Sequence, residues 1–380
     1  MLIYVSLLLL LGYVVFMLHC LWGWHRQETT TIAPDFIPKT RISVLIAARN
    51  EAANIATCIQ HIAAQAYPQE LFDIIIVDDH STDQTAAIVS SFQLPHMRLL
   101  SLDTLLEGQA SPISFKKKAI ELGVAASAAE LIVCTDADCW MDPNWLKEVA
   151  ALYETNAAQM IIAPVQMAYN KSVLQLFQTI DFMTMQGITV AAHRLQLGLM
   201  CNGANVAFTK SAFETIHGYQ GQEHLISGDD YLLLLKMKTA FPDGIRYLKS
   251  SAAIVQTLAQ PTWSDLIQQR IRWASKSGKY KDNRMNFILL WVFAFNTVLL
   301  LLALMGIVDA RYLFVCCALL IAKTIAELLF LWPVAHFYKA RFLLLYFPFL
   351  QPLHIGYVFV AGFLSRFGTF RWKSRTLRQS

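Results

Sequence analysis

The stretch Arg41-Ile-Ser-Val-Leu-Ile-Ala-Ala-Arg-Asn-Glu51 decides the fold. Its first eight residues are a short apolar run with β-branched side chains, which reads as a buried strand. Arg49-Asn50-Glu51 breaks the run, and helical spacing takes over from 51 to 65. The alternation continues. Residues 72–77 predict a second buried strand ending at Asp78-Asp79, followed by a helix over 83–92. A third strand is expected over 97–101, a helix over 114–127, and a fourth strand over 131–135, ending at Asp136. A helix over 143–155 follows, with Asp142 as N-cap and Pro143 at its first position, then a fifth strand over 159–165. Such alternation implies an α/β domain with a parallel sheet and helices on both faces. Ligands of these sheets bind beyond the carboxyl ends of the strands. The polar residues after strands one, two and four are therefore expected on one rim. No internal repeat or low-complexity segment is present.

Outward from this core, the composition changes. Of 380 residues, 56% are hydrophobic and 15% charged, against about one-quarter charged in a soluble domain. This excludes a disordered chain, a collagen-like fibre and a basic nucleic-acid module. The seven cysteines show no CxxC pair or zinc spacing, and suit buried thiols of a reducing compartment. The apolar excess is localised. Residues 2–22 and 287–308 carry no charge, 312–332 carry only Lys323 and Glu327, and 342–364 carry only His354. Each run could cross a hydrocarbon core of roughly 30 Å. The first lacks a basic n-region and a small-residue cleavage site, so it reads as an uncleaved anchor. The plan is an anchor over 1–24, a globular domain over 40–280, a membrane region over 286–365 and a basic tail over 366–380.

Arg26, Lys39 and Arg41 follow the first span, and Arg270, Arg272, Lys276, Lys279, Lys281 and Arg284 precede the second. Positive residues beside short loops mark the cytoplasm, so the globular domain is expected there, at the cell (inner) membrane. The tail holds five basic residues and no acid from Arg366 to Arg378. A cytoplasmic tail requires the last apolar stretch to turn back, and Pro348 and Pro352 are expected to break it into a re-entrant or interfacial segment. Lys323 and Glu327, four apart, read as a neutralising pair near mid-span.

Three polar clusters fall on the expected rim: 47–51, 78–83 and 135–139. Asp136 and Asp138 are the sharpest pair. Two carboxylates two apart in extended chain can share a divalent metal and leave its other positions to phosphates and water. Alone, each cluster is also what a capped turn looks like; their shared place at strand ends favours a site. Gly203, within Cys201–Phe208, suits a close approach of backbone to ligand. Asp229-Asp230 sets two like charges side by side, which suits a general base, and equally suits the first turn of a helix over 229–238. Gln269-Arg-Ile-Arg-Trp273 lies in a basic stretch that could be only a membrane flank. His80 reads as an exposed loop histidine, and Cys139 is a poor ligand for a hard cation.

Taken in order, Ala-Arg-Asn-Glu, Asp-Asp-x-Ser-Thr-Asp, a lysine near 116, Asp-Ala-Asp, Gly-x-Asn-x-Ala-Phe, Gly-Asp-Asp and Gln-x-x-Arg-Trp resemble the family 2 glycosyltransferases of the GT-A fold. That fold is a Rossmann-like α/β fold for nucleotide-diphospho-sugars. The chain is most similar to the membrane branch that holds cellulose and hyaluronan synthases and ceramide glucosyltransferase, over roughly residues 40–280. The resemblance implies that Ala47, Arg49 and Glu51 line the nucleotide pocket, that Asp79 meets the nucleobase with Asp78 behind it, and that Lys116 reaches the diphosphate. Phe115 replaces the family's usual Gly, which leaves the choice among lysines 116–118 open. It further implies that Asp136 and Asp138 hold donor and Mg²⁺ or Mn²⁺, that Gly203 and Asn205 shape the acceptor side, and that Asp230 is the base. Asp229 stands where Glu is usual. Gln269, Arg272 and Trp273 close over pyrophosphate and acceptor.

The expected reaction is an inverting transfer from a nucleotide-sugar, a UDP-sugar first among them, to a hydroxyl of a lipid or glycan acceptor at the membrane, giving a β-glycoside. A processive β-polysaccharide synthase is the alternative, and few spans count against it. A non-catalytic scaffold is the remaining reading, and the complete acid set counts against that. No nucleic acid is expected as a partner.

Overall fold

The computed structural model describes residues 2–33, 35–106, 114–169, 172–198, 200–222, 225, 228–274, 283–364, 370–372 and 375–377. In chain order, α1 (Leu2–Arg26) leads to β1 (Ile42–Ala48), α2 (Ile55–Ala63), β2 (Phe72–Asp78), α3 (Thr85–Ser91), β3 (Met97–Ser101), α4 (Leu102–Leu105), α5 (Phe115–Ala126), β4 (Leu131–Thr135), β5 (Trp140–Met141), α6 (Trp145–Asn156), β6 (Met160–Ile162) and β7 (Val165–Ala168). Then come α7 (Val173–Leu195), β8 (Val206–Thr209), α8 (Lys210–Thr215), α9 (Asp229–Ala240), β9 (Ile245–Tyr247) and β10 (Val255–Leu258). The remainder is α10 (Trp263–Ala274), α11 (Asn283–Met305), α12 (Ala310–Phe337), α13 (Phe347–Leu364) and a hairpin of β11 (Phe370–Trp372) and β12 (Arg375–Leu377). Two compact units result. One comprises Glu28–Gln166 and Leu199–Leu258, the other Met1–Gln27, Met167–Gly198 and Ala259–Ser380.

The first unit is built on a seven-stranded sheet of order β3-β2-β1-β4-β8-β6-β9. Strands β3, β2, β1 and β4 run parallel. The fully parallel sheet expected from the alternation is corrected at β8, which runs antiparallel to both β4 and β6. Ile42, Val44 and Ile46 are wholly buried on β1, as a central strand requires. Helix α5 lies so close that a Cβ on Gly123 would sit 2.2 Å from Leu45 Cδ1, so any larger residue there would have to displace the Leu45 side chain. Register pairs Ala48 with Asp78 and Ile46 with Thr135, which brings the ends of β1, β2 and β4 to one edge.

Two element boundaries differ from expectation. The single strand over 159–165 is two, β6 and β7, in different sheets. Pro164 lies between them and has no N–H to donate to a ladder; its carbonyl accepts from Val255 N at 3.1 Å. The helix expected from 143 starts at Trp145, with Asn144 rather than Asp142 at the N-cap. Asp142 Oδ1 instead accepts from Asn144 N at 2.9 Å, an Asx turn leading into the helix.

The second unit holds four helices long and apolar enough to cross a membrane among the described residues: Leu2–Arg26, Asn286–Met305, Ala310–Phe337 and Phe347–Leu364. The break expected in the last stretch is not there. Pro348 falls in the first turn of α13, where its missing donor costs nothing, and α13 continues through Pro352. Lys323 and Glu327 do pair, at 2.7 Å, but within a larger network. Lys323 Nζ also donates to Gln351 Oε1 at 2.7 Å, Gln351 Nε2 to Glu327 Oε2 at 2.6 Å, and Tyr13 Oη to Glu327 Oε1 at 2.5 Å. Helix α7 crosses α12 where Gly187 leaves no room for a methyl: a Cβ there would lie 2.9 Å from both Phe330 and Val334. Small residues at such crossings let helices approach closely.

Candidate active site

The loops after β1 and β2 are stitched together. Asn50 and His80 both take left-handed backbone, with φ of 50° and 55°. Asn50 N donates to Ser81 Oγ at 3.0 Å, Glu51 N to Thr85 Oγ1 at 2.8 Å, Ala52 N to Asp83 Oδ2 at 3.1 Å, and Thr82 N to Asn50 Oδ1 at 2.8 Å. Burial pushes the Asp83 carboxyl up slightly, but hydrogen bonds from Thr85 and Ala52 outweigh it and hold the group below its ordinary range. Arg49 Nη1 donates to the Asp79 carbonyl at 2.8 Å and lies 3.6 Å from its carboxylate. Asp78 and Asp79 are buried, and Asp78 Oδ1 has no hydrogen-bond partner. Ala47, Arg49 and Glu51 are half-buried on the same rim. His80 is not the exposed loop residue expected. Its Nδ1 lies 2.9 Å from Asp79 Oδ1, its Nε2 2.8 Å from Asp103 Oδ1, and its ring meets Phe115 edge-on.

A second group gathers around Lys116. Its Nζ lies 2.9 Å from Asp136 Oδ1 and 3.5 Å from Asp229 Oδ2. Burial works against this ammonium, but Asp136, Asp229 and Asp230 together hold it well above the usual lysine range. Asp229 and Asp230 form the first turn of α9, where acids complement the helix dipole. Gly203 N donates to Asp230 Oδ2 at 3.2 Å, and a Cβ on Gly203 would meet Asp230, Lys116 and Asp229 within 3.8 Å. Geometry separates the three lysines. Lys116 faces the acids. Lys117 is buried, donating to the carbonyls of Gln222 and Leu225 at 2.8 and 2.7 Å. Lys118 pairs with Glu121 at 3.7 Å.

Asp138 accepts from Thr257 Oγ1 at 3.3 Å, a contact that no sequence signal announced. Cys139 is buried, and burial pushes its thiol well up. Among the described residues no group of three His, Cys, Asp or Glu side chains could hold a metal. Asp136 and Asp138 offer hard oxygens, the donor type that Mg²⁺ and Mn²⁺ take when phosphates and water complete the shell. Asn205 does not join the cluster. It is 1% exposed, and its amide is consumed by the Pro164 and Ala253 carbonyls, both at 2.8 Å, and by Trp145 Nε1 at 3.0 Å.

Gln269, Arg272 and Trp273 lie on α10, in the second unit. Their nominal membrane flank is a regular helix. Leu266 and Ile271 of α10 are buried, and Gln269 Oε1 is buried without a hydrogen-bond partner.

Residues 43–216 match the model of "Glycosyl transferase family 2", and residues 131–362 match that of "Glycosyl transferase family group 2". The poly-β-1,6-N-acetyl-D-glucosamine synthase of Staphylococcus epidermidis is 26% identical over 236 residues, 61% of this chain and 53% of that protein. The β-monoglucosyldiacylglycerol synthase of Nostoc is 28% identical over 113 residues, 30% of this chain and 23% of that protein. The chain thus spans about half the length of the first of these and less of the second. Among solved structures, the mannosyltransferase PcManGT from Pyrobaculum calidifontis, in complex with GDP-Man and Mn²⁺, superposes with a TM-score of 0.57 at 19% identity, covering 97% of this chain and 99% of that one. The likeness gives the fold, a mixed α/β fold of the GT-A type. The longer family match spans well over half of the sequence, and the chain belongs to glycosyl transferase family group 2.

Proposed function

We propose that the protein is an inverting, membrane-bound glycosyltransferase that moves a sugar from a nucleotide-diphospho-sugar to a hydroxyl of a lipid or membrane-associated acceptor. The observation that carries this reading is the convergence of Lys116, Asp136, Gly203, Asp229 and Asp230 from four separate segments. The stitched loops at 49–52 and 78–85 form the nucleotide side, with Arg49 and Asp79 facing the base and Glu51 beside them. Asp136 and Asp138 would hold Mg²⁺ or Mn²⁺, which would supply positive charge to the diphosphate leaving group. Lys116 is the chain's own cation for that diphosphate. Asp230, braced by Gly203 N–H, takes the proton of the attacking hydroxyl, with Asp229 supporting it. Attack from the face opposite the leaving group inverts the anomeric centre. Asn205 holds the Gly203 loop from behind, and Gln269, Arg272 and Trp273 serve pyrophosphate and acceptor. The domain plan of anchor, transferase, membrane region and basic tail, with the transferase at the cytoplasmic face of the cell membrane, rests on the flanking basic residues.

A donor screen tests this. Purified protein is incubated with labelled UDP-, GDP- and dTDP-sugars, Mg²⁺ or Mn²⁺ and a membrane lipid extract, and the product is read by mass spectrometry. A single added sugar is expected. Asp230→Asn should lower kcat by roughly 10²- to 10⁴-fold while sparing donor binding, and Asp138→Ala should weaken metal-dependent donor binding. Turnover unaffected by both substitutions would sink the catalytic reading. The match to a poly-β-1,6-N-acetyl-D-glucosamine synthase over 61% of this chain supports a second reading, processive extension. A ladder of long products in the same screen would select it.

A further inference from the structure

Arg270 sits inside the Gln269–Trp273 motif but is not one of its signature residues. It is 2% exposed. Its Nη2 lies 2.7 Å from Asp181 Oδ2 on α7, and that carboxylate is itself nine-tenths buried. His354 of α13 approaches the other oxygen of Asp181, with Nε2 at 3.5 Å. Three helices of one unit therefore meet at a single ion pair. Burial pushes the Asp181 carboxyl up, but Arg270 and His354 outweigh it and hold the group below its ordinary range. The guanidinium also lies over aromatic neighbours, 4.4 Å from the Trp273 ring centroid and 5.7 Å from that of Tyr357. Phe182, next to Asp181, flanks Trp273 at 6.1 Å.

A buried ion pair is often no more stabilising than apolar packing in its place, so its strength does not explain this arrangement. Its geometry does. Arginine alone combines a fixed charge with a plane that can stack on an indole. We infer that Asp181 and Arg270 are positioning residues for Trp273: the carboxylate fixes the guanidinium plane, and the plane fixes the indole. The inference rests on the proposed function, in which Trp273 meets the acceptor. His354 ties the same junction to α13, so the signature helix and the last apolar helix are set by one carboxylate.

The test uses the full chain in detergent, labelled with 5-fluorotryptophan. The ¹⁹F resonance of Trp273 is identified by its loss in Trp273→Phe. In the unsubstituted protein it should be one sharp line. Arg270→Lys, which keeps the charge and loses the plane, should broaden or split it; so should Asp181→Asn, and Asp181→Glu should restore a single line. A line unchanged in Arg270→Lys, in a protein with an unchanged Tm, overturns the inference. With the labelled sugar and acceptor of the screen above, Arg270→Lys should raise the acceptor KM roughly threefold to thirtyfold. An altered ¹⁹F line with an unchanged acceptor KM would leave the positioning intact and refute the acceptor role of Trp273 instead.

Discussion

Lys116 and Lys249 show how burial alone does not set a lysine's charge. Lys116 keeps its proton because three carboxylates surround it. Lys249, which follows β9 and is 6% exposed, is pushed by burial from 10.5 down to about 8. Below about pH 8 both folded and unfolded chains carry the Lys249 proton, and the whole cost of burying the charge is present. Between about 8 and 10.5 the unfolded chain binds more protons, so stability rises with pH. Lys249→Met should therefore raise the Tm at pH 7 and flatten that rise, by up to about 3 kcal/mol. Thermal unfolding from pH 7 to 10 checks this; a parallel pH dependence in the variant would refute it. The rim acids were legible in the sequence because each ends a strand. Gln351 and His80 were not. Gln351 carries no charge in an apolar run, so only packing reveals its bonds to Lys323 and Glu327. His80 owes its setting to Asp103, which lies on α4, more than twenty residues away in the sequence.

Among the elements, the most demanding is the polar seam of α1, α12 and α13. Lys323 is fully buried, and Glu327 nearly so. Removing one member strands the other's charge where no water can reach it. Lys323→Met should cost about 3–5 kcal/mol, and adding Glu327→Met should recover part of that loss. Unfolding in detergent compares the two; a double variant no more stable than the single would show that the charges are not coupled. The parallel strands β1 to β4 were legible because their apolar runs are short, continuous and bounded by polar turns. Helix α7 and strands β7 to β10 were not. The β strands are three or four residues long, too short for a period to show, and α7 mixes buried Gln178, Thr179 and Asp181 into its apolar face.

At the scale of the molecule, the chain passes between its two units four times: after Gln27, Gln166, Gly198 and Leu258. Helix α7 belongs with α1 and α12 but is threaded into the transferase sequence. A fragment of residues 28–258 would carry α7 stripped of both partners, exposing the side of Gly187 that Phe330 and Val334 cover. It should stay in solution only with detergent, whereas the full chain extracted in the same detergent should be monodisperse. Size-exclusion chromatography of the two decides; a fragment monodisperse in plain buffer would contradict the division. The same threading governs biogenesis. Strand β8 stands between β4 and β6, yet its residues leave the ribosome after α7 does. The sheet's middle stays open until a helix of the other unit has been made, so synthesis of α7 and closure of the seven-stranded sheet are ordered events on one nascent chain.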